Sequence, residues 1–180
     1  MNYTLPELAK DIKNILKNSE IKDVSNDVCL LVSRAVKDDI FVTDNLTERS
    51  PNENPREVLY EDEELGLCIC GHVYQAEANG MPHDHGSSWA IYGQAEGETE
   101  MTDWEIVNNP SDDEIKYVKP KKTYTLKRGD VHYYAKGEVH SPVRKSAVKI
   151  LRIEGVNLDY IKRSNIKNDT EESHGSVGKW

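Results

Sequence analysis

Gly80-Met81-Pro82-His83-Asp84-His85-Gly86-Ser87-Ser88-Trp89 is the stretch on which the reading of this chain turns. Histidines one residue apart leave the same face of a β-strand. Two imidazoles on one face make half of a divalent metal site. Pro82 just before them suits a strand entry, where no ladder donor is needed. Taken alone, the pair is equally compatible with two partly exposed histidines that bind nothing. A partner motif must supply the rest.

Gly129-Asp130-Val131-His132-Tyr133-Tyr134-Ala135-Lys136-Gly137-Glu138-Val139-His140 is that partner, with glycines at turn-like positions and a histidine at its end. Together the two stretches resemble the paired motifs of the cupin superfamily. The first motif is His-x-His, a gap of three or four residues, Glu, six residues and Gly. Counted from His85, the Glu slot falls on Ala90 and the glycine on Gly97. In the second motif Gly129, Gly137 and His140 keep the spacing, with Ala135 where proline is usual. The resemblance implies that His83, His85 and His140 are metal ligands.

Alanine carries no donor atom, so the resemblance narrows to the three-histidine thiol dioxygenases, those acting on cysteine and 3-mercaptopropionate. The match runs through His83-Asp84-His85, Trp89, Gly93, Gly97-Glu98 and His140-Ser141-Pro142-Val143. It implies ferrous iron, dioxygen and a small-molecule substrate. It departs at the family's inward Ser-x-His-x-Tyr relay, where this chain has Ile150, Arg152 and Glu154. If that strand keeps register, Arg152 and Glu154 point into the barrel. Arg152 can then pair bidentately with a substrate carboxylate. Glu154 is read as a general base or as the ion-pair partner of Arg152. Tyr92 and Gln94 share the inward face with Ala90, and Trp89 is taken as a further pocket wall. Tyr92 is the candidate to hydrogen-bond a metal-bound ligand. Arg56 is an alternative carboxylate anchor, and Ser87 and Ser88 offer hydroxyls at the rim.

The leading expectation is a mononuclear non-haem iron oxygenase acting on a small thiol or carboxylate compound, cysteine dioxygenase-like in type. Three neutral imidazoles leave the ion's charge uncompensated and coordination positions open, which suits an anionic chelating substrate and dioxygen. One alternative is a non-redox isomerase or hydrolase with zinc, nickel or manganese and Glu154 as base. Another is a non-catalytic module that binds a small molecule or metal.

Composition sets the outer limits. At 180 residues with a formal charge of -9, the chain can build one domain with a real core and is a poor match for nucleic acid or anionic membranes. Lys and Arg are scattered apart from the run Lys116 to Lys127, read as a solvated edge. No stretch approaches the ~20 apolar residues of a membrane span, and the first residues lack a signal-peptide pattern. A cytoplasmic protein, possibly a homodimer as cupins often are, is expected. Three cysteines are too few for a disulfide framework. Cys29 reads as core, and Cys68 and Cys70 as buried small hydrophobes on one strand face.

Organisation follows from periodicity. Thr4 and Glu7 form a capping box before the stripe Leu5, Leu8, Ile12, Ile15, Leu16, which predicts a helix over about 5–18. Val24, Val28, Leu31, Val32 and Ala35 predict a second, to about 38. Residues 43–57 read as an irregular connector, so 1–57 form helices and connector packed outside a barrel. Residues 58–160 read as the barrel, an all-β cupin double-stranded β-helix of the jelly-roll type. Its strands are expected near 65–74, 88–96, 98–107, 115–118, 123–126, 131–134 and 147–153. Residues 161–180 read as a polar tail, ordered only if it docks. His132 and His72 are left outside the ligand set, and His174 is read as idle.

Overall fold

The structure is a computed structural model and describes residues 3–50, 52–111 and 114–169. Three helices come first: α1 (Leu5–Leu16), α2 (Ile21–Lys37) and α3 (Asp39–Asn45). The strands that follow are β1 (Arg56–Glu61), β2 (Cys68–Tyr74), β3 (Ala78–Asn79), β4 (Ala90–Glu96), β5 (Thr99–Ile106), β6 (Lys116–Leu126), β7 (Val131–Tyr134), β8 (Val139–Arg144), β9 (Val148–Glu154) and β10 (Ile166–Asn168). They form two five-stranded sheets, ordered β1-β2-β9-β4-β7 and β10-β6-β5-β8-β3. This is the expected jelly-roll barrel with its N-terminal helices outside.

Period-two alternation separates two environments on the first sheet. Ile69, Ile91, Leu151 and Ile153 face outward and bury against Leu8, Ile12, Val28, Val32, Val36 and Phe41 of the helices. This larger apolar core lies between helices and sheet, not inside the barrel. The even-numbered face looks inward. Tyr92 pairs across to Arg152 and Arg152 to Cys70; Ala90 pairs to Glu154 and Glu154 to Cys68. The barrel interior is therefore part polar, with a smaller apolar cluster that includes Met101, Tyr134 and Ile150.

Local chemistry explains the helix boundaries. The Thr4–Glu7 capping box is present, closing the start of α1 reciprocally. The Lys13 Nζ, at 2.7 Å from Asp62 and 2.9 Å from Glu64, ties α1 to the β1–β2 turn. Helix α3 replaces the first residues of the expected connector. Its cap is Asp38, whose carboxylate accepts from the N–H groups of Ile40 and Phe41. Seven residues are too few to show a helical period, but Phe41 and Val42 bury against the core.

Three further differences concern strands. The barrel begins at Arg56, two residues before the expected boundary. The two strands expected within 115–126 are one, β6, which continues through Pro120. A bulge lies there, opposite Asp103 and Trp104, and β10 pairs only with residues 116–118, so Pro120 lies where its missing N–H costs no ladder bond. Residues 161–169 dock on the barrel, since β10 runs parallel to β6. The rest of the expected tail, including His174, lies outside the described residues.

Gly93 sets how closely the helices approach. A Cβ there would stand 2.5 Å from Val32 Cγ1 and 3.1 Å from Val36 Cγ1. Gly93→Ala is expected to lower the unfolding free energy by about 1–3 kcal/mol through overpacking. Adding Val32→Ala should restore part of that loss in a double-mutant cycle followed by urea denaturation. Strict additivity would show that this contact is not what excludes a side chain.

Candidate metal centre

The two histidine stretches meet through their backbones. His83 N–H donates to the His140 carbonyl and His140 N–H to the His83 carbonyl, both at 3.0 Å. This reciprocal pair is an isolated antiparallel bridge. The strand expected at His-x-His is thus reduced to one residue; Asp84 and His85 lie outside any described strand ladder, and the chain turns at Gly86. Gly86 has φ +58°, and a Cβ there would meet the Lys162 carbonyl at 2.5 Å. The docked segment after Tyr160 lies directly on this turn.

Asp84 holds the loop from the side opposite the histidines. It is fully buried and accepts from Gly86 N at 3.0 Å, Ser164 N at 3.2 Å and Lys116 Nζ at 2.9 Å. Burial alone would raise its pKa. The hydrogen bonds from Ser164, Lys116 and Gly86 outweigh that and bring it down to about 2.

His83, His85 and His140 come together on the inside. One ring nitrogen of each lies within 4.8 Å of the other two. The His83 Nδ1 donates to the Met81 carbonyl at 2.9 Å, which leaves Nε2 free to bind. The buried Nδ1 atoms of His85 and His140 have no hydrogen-bond partner among the described residues. Burial pushes His83 down to about 4 and, with the Arg152 charge, His85 down to about 2. Burial and the neighbouring histidines hold His140 well below its ordinary value. Three neutral imidazoles with unsatisfied nitrogens are a donor set that fits a divalent ion.

Tyr92 links this cluster to the ion pair beneath it. Its Oη lies 3.2 Å from His85 Nε2, 3.4 Å from His140 Nε2 and 3.2 Å from Arg152 Nη1. Arg152 directs Nε at 2.7 Å, and also Nη2, to Glu154 Oε1. Glu154 Oε2 accepts from Arg56 Nη2 and from Leu158 N, both at 3.0 Å. Burial alone would raise the Glu154 carboxyl; Arg152, Arg56 and the Leu158 N–H together lower it. A carboxylate with both oxygens occupied and its proton affinity reduced is a poor general base. Of the two roles expected for Glu154, the geometry fits the ion-pair partner. Arg56 serves the same network, its Nη1 reaching Asp159 at 2.6 Å.

A cavity of about 370 Å³ opens beside the cluster, bounded by His83, Tyr92, Arg152, Pro142, Arg144 and His72. Arg144 was not singled out in the sequence, yet continuing the alternation from His140 through Pro142 places it on the same face. Trp89 does not line this cavity. It packs on the outer face with Tyr133 and against Gly155, because the alternation that turns Ala90 inward turns residue 89 outward. Gln94 is buried on the inner face but further along β4, where its Nε2 donates to the Glu96 carbonyl at 2.8 Å. It is not a wall of the cavity either. Ser88 is buried and structural, its Oγ accepting from Val156 N at 3.1 Å.

Other histidines and thiols stand apart. His132 packs on Tyr124 and Tyr134 beside a separate cavity of about 140 Å³. Tyr134 in turn stacks on His140, with ring centres 3.8 Å apart. Cys68 and Cys70 share the inward face with Sγ atoms 3.4 Å apart, near Glu154. The hydrogen bond between them, with burial, pushes the Cys70 thiol up, so it stays protonated.

No protein-family model matches the chain, and no curated protein matches it. Solved structures of similar shape do exist. A cupin superfamily protein from Desulfitobacterium hafniense is 14% identical, with TM-score 0.46 over 61% of this chain and 84% of that one. A protein with a double-stranded β-helix domain from Klebsiella pneumoniae is 14% identical, with TM-score 0.48 over 67% and 85%. KdgF from Halomonas is 16% identical, with TM-score 0.44 over 63% and 93%. These are likenesses of fold at low identity. No described helix is long and apolar enough to cross a membrane.

Asp84→Ala should leave Lys116 and the Ser164 N–H without their acceptor, at a cost of about 1–3 kcal/mol. Because the folded-state pKa is depressed, Asp84 contributes stability that is present above about pH 4 and lost as pH falls toward 2. Urea titrations of the variant should therefore show a flatter loss of stability across that window. Metal affinity should fall roughly 10-fold as the loop loosens. Unchanged stability at pH 7 would remove Asp84 as the anchor.

Proposed function

We propose that this chain is a mononuclear metal enzyme in which His83, His85 and His140 hold a divalent ion, Fe(II) in the leading reading. Its reaction in that reading is oxygenation of a small thiol or carboxylate compound bound in the adjoining cavity. The observation that carries this is the convergence of three neutral imidazoles, His85 and His140 buried and His83 half-buried, with no described carboxylate in the group, at one wall of an arginine-lined cavity.

The ion, when bound, would supply Lewis acidity, redox capacity and open coordination positions for substrate and dioxygen. The protein's own residues do the rest. Arg152 is locked by Glu154 through Nε and Nη2, which fixes Nη1 toward Tyr92 and the cavity. A substrate carboxylate entering there meets an oriented guanidinium rather than a mobile one. The Tyr92 Oη holds a proton within hydrogen-bond reach of the histidine nitrogens and Arg152, the position from which to donate to an anionic ligand. Burial of His85, His140, Arg152 and Glu154 keeps water away and strengthens each of these interactions. The non-redox alternative relied on Glu154 as base, and the double ion pair of that carboxylate weighs against it.

The test is oxygen consumption by Fe(II)-loaded protein against a panel of short thiols and thiol or hydroxy acids. Substrate-dependent uptake with a matched oxygenated product is expected, and His140→Ala should abolish it. Tyr92→Phe should lower kcat about 10²-fold while still taking up iron. No oxygen uptake with any member of the panel, in protein that holds one equivalent of iron, would overturn the oxygenase assignment.

A further inference from the structure

The cavity carries more positive charge than one substrate carboxylate requires. Four arginines border it: Arg56, Arg144, Arg152 and Arg163. Glu154 and Asp159 neutralise the first and third of these. Arg144 is different. It is 5% exposed, its Nε is buried without a partner, and its guanidinium makes no ion pair or hydrogen bond with a described residue. Its guanidinium lies over the face of Tyr74, 4.3 Å from the ring centre. His72, 7% exposed, lies on the same wall, and its ring hydrogen-bonds to no described residue. Arg163, on the docked segment next to the Gly86 turn, stands at the exposed mouth and pairs with no described carboxylate.

A buried guanidinium with no counter-ion is costly, and an aromatic face offsets only part of that cost. Burial lowers the Arg144 pKa, which registers the same penalty. The whole chain carries a net charge of -9, so two uncompensated arginines at one cavity are a local reversal of sign. Arg144 is also set back from the histidines. It lies four residues beyond His140 on β8, about 13 Å along the strand, on the same face. Arg152 and Tyr92 stand at the histidine end. The cavity therefore offers a second arginine position, offset along β8 from the one beside the histidines, and its volume holds a short skeleton.

We propose that this cavity binds a small dianion, a dicarboxylate or a phosphorylated acid, whose outer anionic group is held by Arg144 with His72 and Arg163. The inner group lies against Arg152 and the histidine cluster. The assignment deepens the proposed function by naming the substrate class, and it rests on that reading only for what the inner group meets.

The test is calorimetric titration of the full chain, before and after loading with Zn(II). Succinate, with two carboxylates, and 2-phosphoglycolate, with a carboxylate and a phosphate, are the probes with two anionic groups, called dianions for that reason; butyrate and glycolate are the matched monoanions. At least tenfold tighter binding of a dianion than of its matched monoanion is expected, and whether succinate or 2-phosphoglycolate leads separates the dicarboxylate from the phosphorylated acid. Arg144→Gln should weaken dianion binding at least tenfold and leave monoanion binding within about threefold. If that variant does not fold, Arg163→Gln at the exposed mouth takes its place, with a loss of about threefold expected. His140→Ala should keep the dianion preference in the metal-free protein, so failure of the metal reading is seen separately from failure of this one. Equal binding of dianions and monoanions, no binding of either, or a preference untouched by the arginine variants would overturn the proposal.

Discussion

The interaction on which this barrel interior depends is the buried pair Arg152–Glu154. Both side chains are removed from water, and neither charge is tolerable alone. The pair persists because every strong hydrogen-bonding position on Glu154 is filled: Arg152 on one oxygen, Arg56 and the Leu158 N–H on the other. Removing Glu154 would leave Arg152 as an uncompensated charge in a low-dielectric interior. The consequences propagate outward. With two of its nitrogens committed to Glu154, Arg152 can direct only Nη1 to Tyr92, and Tyr92 in turn stands over the histidine nitrogens. Cross-strand register makes this chain of contacts possible, since Tyr92 lies opposite Arg152 and Ala90 opposite Glu154. Alanine at position 90 leaves room for the glutamate across the sheet.

The centre is assembled from segments far apart in sequence. The His83–His140 backbone bridge joins two of them, and Asp84 joins a third through Lys116 and a fourth through Ser164. Helices α1 to α3 contribute no side chain to the cavity. Their role is to bury the outer face of the first sheet, which leaves the inner face free to carry polar groups. A barrel whose interior held the main apolar core would have no space for two buried arginines, a glutamate and three histidines.

Much of this was legible in the sequence, for identifiable reasons. The α1 capping box and the stripes of α1 and α2 follow from the 3.6-residue period, and β2, β4, β5, β7 and β9 from alternation or apolar runs. The histidine set was what the resemblance carried by the two histidine stretches implied. Helix α3 and strands β3 and β10 are too short to show a period, and β8 carries Ser141 and Pro142 in its middle. Inward placement of Tyr92, Arg152 and Glu154 was readable because residues two apart share a face. The same rule excluded Trp89 from the cavity and, extended along β8, would have reached Arg144. Arg163 was beyond reach, since nothing local indicates that the chain after Tyr160 returns to the Gly86 turn.

Metal stoichiometry tests whether His83, His85 and His140 form one metal site. Anaerobic titration with Co(II), followed by its visible absorption and by elemental analysis, should give one equivalent bound in the native chain. Each of His83→Ala, His85→Ala and His140→Ala should lose that equivalent while retaining the native circular dichroism spectrum. Full stoichiometry retained in any of the three folded variants, or no ion bound by the native protein, would contradict the account.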